Sequence, residues 1–274
     1  MTLGLALQGF ALENTGADQT KAANIAEITA IIVSYTSVHL TLLENDTDQL
    51  IIKEYINQEE PANLGTIVLE GSVLFITGSS HFSLPETAPR LELSIPRSYR
   101  GNCNFSLSSG TITAEGELTL ANLGIELSDG SVTLGLVSAE NIRIKSAKGT
   151  IKIEYITGKM RMETINGSIL IRAARGEGTF QTSLGRIMVG LESVTGDLLF
   201  ETGIGAIALS LPREFSFFVD ALTGSGNIRL DSPDKQYRVE KSGPMKTSIG
   251  PDPLYTVRSR TGVGNITMDM TAPL

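Results

Sequence analysis

Residues that commonly carry chemistry are sparse in this chain. There are two histidines, His39 and His81, 42 residues apart and with no acidic partner nearby in sequence. A histidine base or metal ligand needs such a partner to fix its tautomer. Cys103 is the single cysteine, which excludes an intramolecular disulfide and any cysteine-based zinc cluster. It reads as a small buried hydrophobe. Gly224-Ser225-Gly226-Asn227-Ile228 and Gly262-Val263-Gly264-Asn265-Ile266 begin like phosphate-binding loops. No third glycine, no Gly-Lys-Ser/Thr and no helix follows, so they read as turns. They also lack the Gly-Gly-x-Gly-x-Asp calcium repeat. Asp46, Asp48, Glu59 and Glu60 read as solvated loop charges. The sequence therefore assigns no catalytic residue, no metal ligand and no cofactor.

One tripeptide invites an enzymatic reading. Arg143-Ile144-Lys145 is similar to a tripeptide of the polygalacturonases, which are β-helix enzymes. Its companions there, paired aspartates and a Gly-His-Gly, are absent. Acid/base cleavage of a glycosidic bond needs such a cluster on one outward face. The plain alternation is preferred: Ile144 inward, Arg143 and Lys145 outward.

What must position these residues is a repeat. Glycine, one residue, then Ile or Val recurs at Gly110/Ile112, Gly130/Val132, Gly149/Ile151, Gly167/Ile169, Gly185/Ile187, Gly205/Ile207, Gly226/Ile228 and Gly264/Ile266. The glycines are 20, 19, 18, 18, 20, 21 and 38 residues apart, the last interval reading as two periods with one glycine missing. A period near 19 marks a solenoid. A second alternating run lies between anchors, as in Leu118-Thr119-Leu120, Met160-Arg161-Met162 and Phe180-Gln181-Thr182. These runs are short, rich in aliphatic and aromatic residues and punctuated by glycine, which argues against helix. The expected fold is all-β: a solenoid, read as a right-handed parallel β-helix with coils of about 19 residues and two short strands each.

Three regions follow along the chain: an N-terminal segment or cap over 1–27, early irregular coils over 28–107, and regular coils over 108–274. Asp18–Ile28 is expected to form a short helix capped by Asp18. Gly65-Thr66-Ile67 and Gly71-Ser72-Val73 look like early anchors. Four prolines between Pro233 and Pro253 mark a loop near 232–258. The coil ending near Met268 would leave an exposed edge, so end-to-end self-association is an expectation.

Bulk properties narrow the partners. Net charge is −8 and charged residues make up 19%. Nucleic-acid binders are usually basic, and low-hydrophobicity disorder does not fit. No run of 18 apolar residues exists, so nothing in the chain reads as a membrane span. Met1–Leu12 is apolar without a basic start or a cleavage pattern, and makes a poor signal peptide. An upstream signal or anchor is left open.

Equivalent positions of stacked coils line up in columns. The residues after each anchor form an outward column: Thr113, Thr133, Lys152, Leu170, Met188, Ala208 and Arg229. Its apolar middle, Leu170, Met188 and Ala208, is the candidate interaction strip. Two second-strand columns are expected as Arg143, Arg161, Gln181, Leu199 and as Lys145, Glu163, Ser183, Glu201, the latter alternating in charge.

The Ser-x-x-Gly-x-Ile rhythm of Ser108-Ser109-Gly110-Thr111-Ile112, the related Thr164-Ile165-Asn166-Gly167-Ser168-Ile169, and Leu91-Glu92-Leu93-Ser94-Ile95-Pro96 upstream resemble the bacterial "putative adhesin" family of β-strand-repeat proteins. The likeness covers roughly 28–270. It implies a β-helix-like fold, placement outside the cytoplasmic membrane, and no established catalytic residues. The expected function is thus a non-enzymatic binding or scaffold protein of the surface or envelope, contacting protein or polysaccharide. A carbohydrate-active β-helix enzyme and an intracellular regulatory solenoid module are the alternatives. A membrane anchor, common in the family, is not visible here.

Overall fold

A computed structural model describes residues 19–55, 65–78, 89–232 and 239–270. The expected Asp18 cap, Glu59, Glu60, His81 and Pro233 lie outside those residues. The chain divides into two compact units, Met1–Ser138 and Ala139–Leu274.

In the first unit the elements are β1 (Gln19–Asn24), a 3-10 turn (Ile25–Glu27), β2 (Ala30–Asn45), β3 (Gln49–Tyr55), β4 (Thr66–Glu70), β5 (Val73–Gly78), β6 (Arg90–Pro96) and the start of β7 (Asn102–Lys148). The expected N-terminal helix does not form. Its residues make β1, paired antiparallel with β3 from Gln19↔Glu54 to Asn24↔Gln49, and then the single turn, capped by Asn24. So short a helix is marginal by itself, whereas an edge strand satisfies its backbone at once. β2 lies between later strands. Ala30–Tyr35 pairs in parallel with Val73–Gly78 on one side and with Asn102–Leu107 on the other. His39–Asn45 similarly pairs with Arg90–Pro96. The expected anchors at Gly65 and Gly71 prove to be a hairpin: β4 runs antiparallel to β5, leaving Ile67 and Val73 half-buried. Gly71, at φ 60°, takes the first place of a two-residue turn of type II′. Further on, the chain returns over itself after 20 residues. A Cβ placed on Gly130 would lie 1.7 Å from the carbonyl oxygen of Gly110.

The second unit holds the end of β7, then β8 (Ile151–Asn166), β9 (Ile169–Leu184), β10 (Ile187–Ile204), β11 (Ile207–Ser210), β12 (Phe217–Ser225), β13 (Ile228–Asp231), β14 (Val239–Lys241), β15 (Met245–Ile249), β16 (Tyr255–Val263) and β17 (Ile266–Asp269). β8, β9 and β10 stack in parallel with Ile151, Ile169 and Ile187 in one column. Beyond β10 the stacking order departs from the chain order. β16 and β17 pair in parallel with β10 and β11 on one side and with β12 and β13 on the other. The 38-residue glycine interval is therefore not a coil lacking its glycine. Residues 217–231 skip one level, an excursion through β14 and β15 follows, and 255–269 fills the gap. β15 and β14 cover the far side by antiparallel pairing with β12 and β13. The C-terminal coil, expected as an open edge, is thus paired on both sides.

The eight anchor aliphatics, Ile112, Val132, Ile151, Ile169, Ile187, Ile207, Ile228 and Ile266, are all fully buried. Each such side chain is worth about 1.5–3 kcal/mol of transfer free energy. Phe180 and Phe200 stack at 4.9 Å in the second-strand column.

Candidate functional site

The most regular surface of the second unit is built on a corner, Thr-x-x-Gly-x-Ile. Its threonines, Thr164, Thr182, Thr202, Thr261 and Thr223, are buried. Thr182, Thr202 and Thr261 each donate their hydroxyl at 2.9 Å to a glycine carbonyl one level away: Gly167, Gly185 and Gly205. Thr223 reaches Gly264 at 2.8 Å and Thr164 reaches Gly149 at 3.5 Å. The glycines themselves stack. A Cβ on Gly185, Gly205 or Gly264 would lie 1.8–1.9 Å from the carbonyl oxygen of the glycine beneath. These three also take φ near +150°, a region other residues avoid.

The residue before each glycine is pinned by its backbone. Gly167, Gly185 and Gly205 donate their N–H groups at 2.9 Å to the carbonyls of Leu184, Ile204 and Val263. Those side chains are left outside, 45%, 56% and 52% exposed; on the level of β8 the equivalent place is held by the polar Asn166, which faces Leu184. They are in register, Leu184↔Ile204↔Val263, so they form a ridge with one apolar side chain per level.

The expected strip runs beside this ridge. Leu170, Met188 and Ala208 lie in register on β9, β10 and β11. Met188 is 43% exposed, and Leu170 and Ala208 are half-buried. Lys152 precedes them in the column as expected. Thr267 comes between Ala208 and Arg229, because of the inserted level. A polar seam separates strip from ridge: Ser168 Oγ accepts from the Arg186 N–H, and Asn265 Oδ1 from the Asn227 N–H. The glycines and inward aliphatics that define the repeat do not by themselves mark the ridge. Its signal is present all the same, as an apolar residue directly before three successive glycines of the stack.

The second-strand columns need correction. Arg161 pairs with Thr179 and Glu163 with Gln181, not with Gln181 and Ser183. The level from β8 to β9 is 18 residues long throughout. The two extra residues of the next level enter at an irregularity between Val194 and Leu198. In the corrected column each carboxylate meets a donor, charged in one case and neutral in the other. Lys145 contacts Glu163 at 3.3 Å, and Gln181 donates to Glu201 at 2.7 Å. Burial would raise the Glu163 carboxyl, but hydrogen bonds and charge from Arg161 and Lys145 outweigh it and hold the group below its ordinary range. These contacts fix register and solubility, and each exposed pair contributes little to stability.

Among the described residues, the side chains able to do chemistry are dispersed. His39 Nδ1 is 2.9 Å from Thr111 Oγ1. Ile144 is fully buried between Arg143 and Lys145, and Cys103 is fully buried too. Burial pushes the Cys103 thiol up, so it stays protonated. Gly224-Ser225-Gly226 stacks on Gly262-Val263-Gly264 as a corner. Among the described residues no group of three or more His, Cys, Asp or Glu is placed to hold a metal ion. No described helix is long and apolar enough to cross a membrane.

A family model described as Toastrack DUF4097 matches residues 28–268. A solved structure titled a "putative adhesin" from Bacteroides fragilis is similar at 17% identity and a TM-score of 0.51, covering 92% of this chain and 98% of that one. Another so titled, from Parabacteroides merdae, is 13% identical with a TM-score of 0.38, over 93% and 97% of the two chains. No curated protein matches the chain.

Proposed function

The chain belongs to the Toastrack DUF4097 family, and from that premise we propose that it is a non-enzymatic binding protein of the cell surface or envelope. Its partner is a protein held on the ridge of Leu184, Ile204 and Val263 and the strip of Leu170, Met188 and Ala208. One observation carries this reading: an exposed apolar ridge and a partly exposed apolar strip run over successive levels on either side of a polar seam, on a corner whose stacked glycines leave no room for a Cβ. An ordered row of exposed aliphatic side chains is the kind of surface that marks an interaction site. The rigid corner keeps the ordering cost of binding low. The adhesin name of the B. fragilis structure is consistent with a contact role.

The test uses the full chain and a triple variant, Leu184→Lys, Ile204→Lys and Val263→Lys. All three side chains point outward, so circular dichroism and melting should match the parent. Retention on immobilised envelope protein should fall at least about tenfold, equivalent to about 1.4 kcal/mol. Unchanged retention would overturn the reading. Loss of binding only to purified polysaccharide would move the site to a different ligand class, and release of sugar products would replace the binding role by an enzymatic one.

A further inference from the structure

We propose that β4 pairs with β4 of a second copy of this chain, antiparallel about Val68, so that the protein dimerises through a continuous sheet edge. Among the described residues β4 pairs only with β5. Its sequence, Thr66-Ile67-Val68-Leu69-Glu70, has no lysine, no proline and no bulge. Those are the devices by which proteins blunt exposed edges. The edge in the second unit has them. β15 carries Lys246, and Gly243-Pro244 and Gly250-Pro251 flank it.

The hairpin fixes which backbone groups are available. Only Gly71 and Ser72 separate β4 from β5, and Glu70 faces Val73. In a two-residue hairpin the closing pair exchanges both hydrogen bonds, and the pattern then alternates. Glu70, Val68 and Thr66 therefore turn their N–H and C=O groups toward β5. Ile67 and Leu69 turn theirs to the outer edge. An antiparallel copy centred on Val68 places Ile67 opposite the partner's Leu69 and Leu69 opposite the partner's Ile67. Four backbone hydrogen bonds close at once. Glu70 then faces Thr66 of the partner subunit, so no two carboxylates meet. The strand is complementary to itself, and the twofold axis makes a closed dimer, not a fibre. Val68, 39% exposed, meets its own copy on the open face of the sheet.

The Val68 pair would be a non-hydrogen-bonded one, with Cα atoms about 4.5 Å apart, inside the roughly 4.4–6.8 Å that a disulfide spans. The decisive experiment is mild oxidation of the full chain carrying Val68→Cys. The native Cys103 is buried, so it does not compete. A disulfide-linked dimer is expected from Val68→Cys and none from Glu70→Cys, because two Glu70 positions would sit about 13 Å apart along the strands. Sedimentation of the parent should show a monomer–dimer equilibrium on the order of 10–100 μM. Leu69→Pro removes an outward N–H that β5 does not use and should weaken association at least about tenfold. A parent that stays monomeric, with no cross-link from Val68→Cys, overturns the proposal. Equal cross-linking from Glu70→Cys overturns it as well, since that requires another register.

Discussion

The two units solve one problem in two chemistries. In each, the outermost long segment in the sequence is not the outermost in the stack. β2 is held between β5 with β6 and β7. β16 and β17 are held between β10 with β11 and β12 with β13. In each, antiparallel strands cover the far side. The interiors differ. At the C-terminal inserted level the glycine stack continues unbroken, with Gly264 between Gly205 and Gly226. At the N-terminal one it stops: Gly110 stacks on Val38. There the fold relies on a buried polar knot. Tyr35 Oη donates to Glu54 Oε1 at 3.0 Å, and the Gly65 N–H donates to both oxygens of the same carboxylate. Glu54 is buried. A repeat can thus be closed by extending its own rule or by replacing it with a specific network, and the two should fail under different conditions.

The largest expected contrast is steric. Gly264→Ala would put a Cβ 1.9 Å from the Gly205 carbonyl oxygen, whereas a Cβ on Gly71 meets nothing within 4 Å. Urea unfolding should show a loss of about 4 kcal/mol or more for Gly264→Ala, against about 1–2 kcal/mol for Gly71→Ala, where only the backbone conformation is penalised. Similar losses would mean that the stack carries no special constraint.

Alkali should separate the units next. The buried phenols Tyr35 and Tyr99 and the buried thiol Cys103 lie in the first unit. Burial raises all three, with the charge and hydrogen bond of Glu54 adding to Tyr35 and the charge of Cys103 adding to Tyr99. A raised folded-state pKa contributes stability below the unfolded value and loses it as pH climbs beyond. The loss begins above the ordinary values of 9.0 for the thiol and 10.0 for the phenols. Each fully buried group then costs about 1.4 kcal/mol per pH unit. Hydrogen exchange above pH ~10 should open peptides of the first unit before those of the second. Tyr35→Phe should flatten that slope. Simultaneous opening of both units would remove the distinction.

Two smaller effects sharpen the C-terminal side. Thr202→Val keeps the shape but takes the hydroxyl from the Gly185 carbonyl, and calorimetry should read a loss of about 1–2 kcal/mol. Ser259 Oγ is buried opposite Phe200 and has no hydrogen-bond partner among the described residues. Ser259→Ala should therefore stabilise slightly, by under about 1 kcal/mol. A destabilising result would show that the hydroxyl is used.

The anchors could be read from residue order because Gly-x-Ile is local: the glycine conformation and the inward aliphatic sit within three residues. The Leu170, Met188 and Ala208 column followed from the same period. The stacking order was hidden for a numerical reason. A jump of 38 residues from Gly226 to Gly264 equals two ordinary levels, and only the pairing of β15 and β14 shows that the chain left the stack. The helix expected at Asp18–Ile28 failed because a neighbouring strand edge outcompeted a short local preference. Gly71-Ser72 misled in a similar way, since a hairpin turn and a coil corner both call for glycine. The columns of β9 slipped because the period is not constant.

The order of synthesis gives the insertion at β16 and β17 a further meaning. These strands leave the ribosome after both of their neighbours. The slot between β10 with β11 and β12 with β13 therefore stands empty while about 40 residues are added, roughly 2–8 seconds at about 5–20 residues per second. During that interval Phe200, Ile207 and Ile228 lack the strands that later lie against them. A message cut short before Tyr255 yields a product with an open cleft, and chaperones and proteases recognise such exposed apolar surface. A chain ending before Tyr255 should therefore be cut faster than the full chain in limited proteolysis.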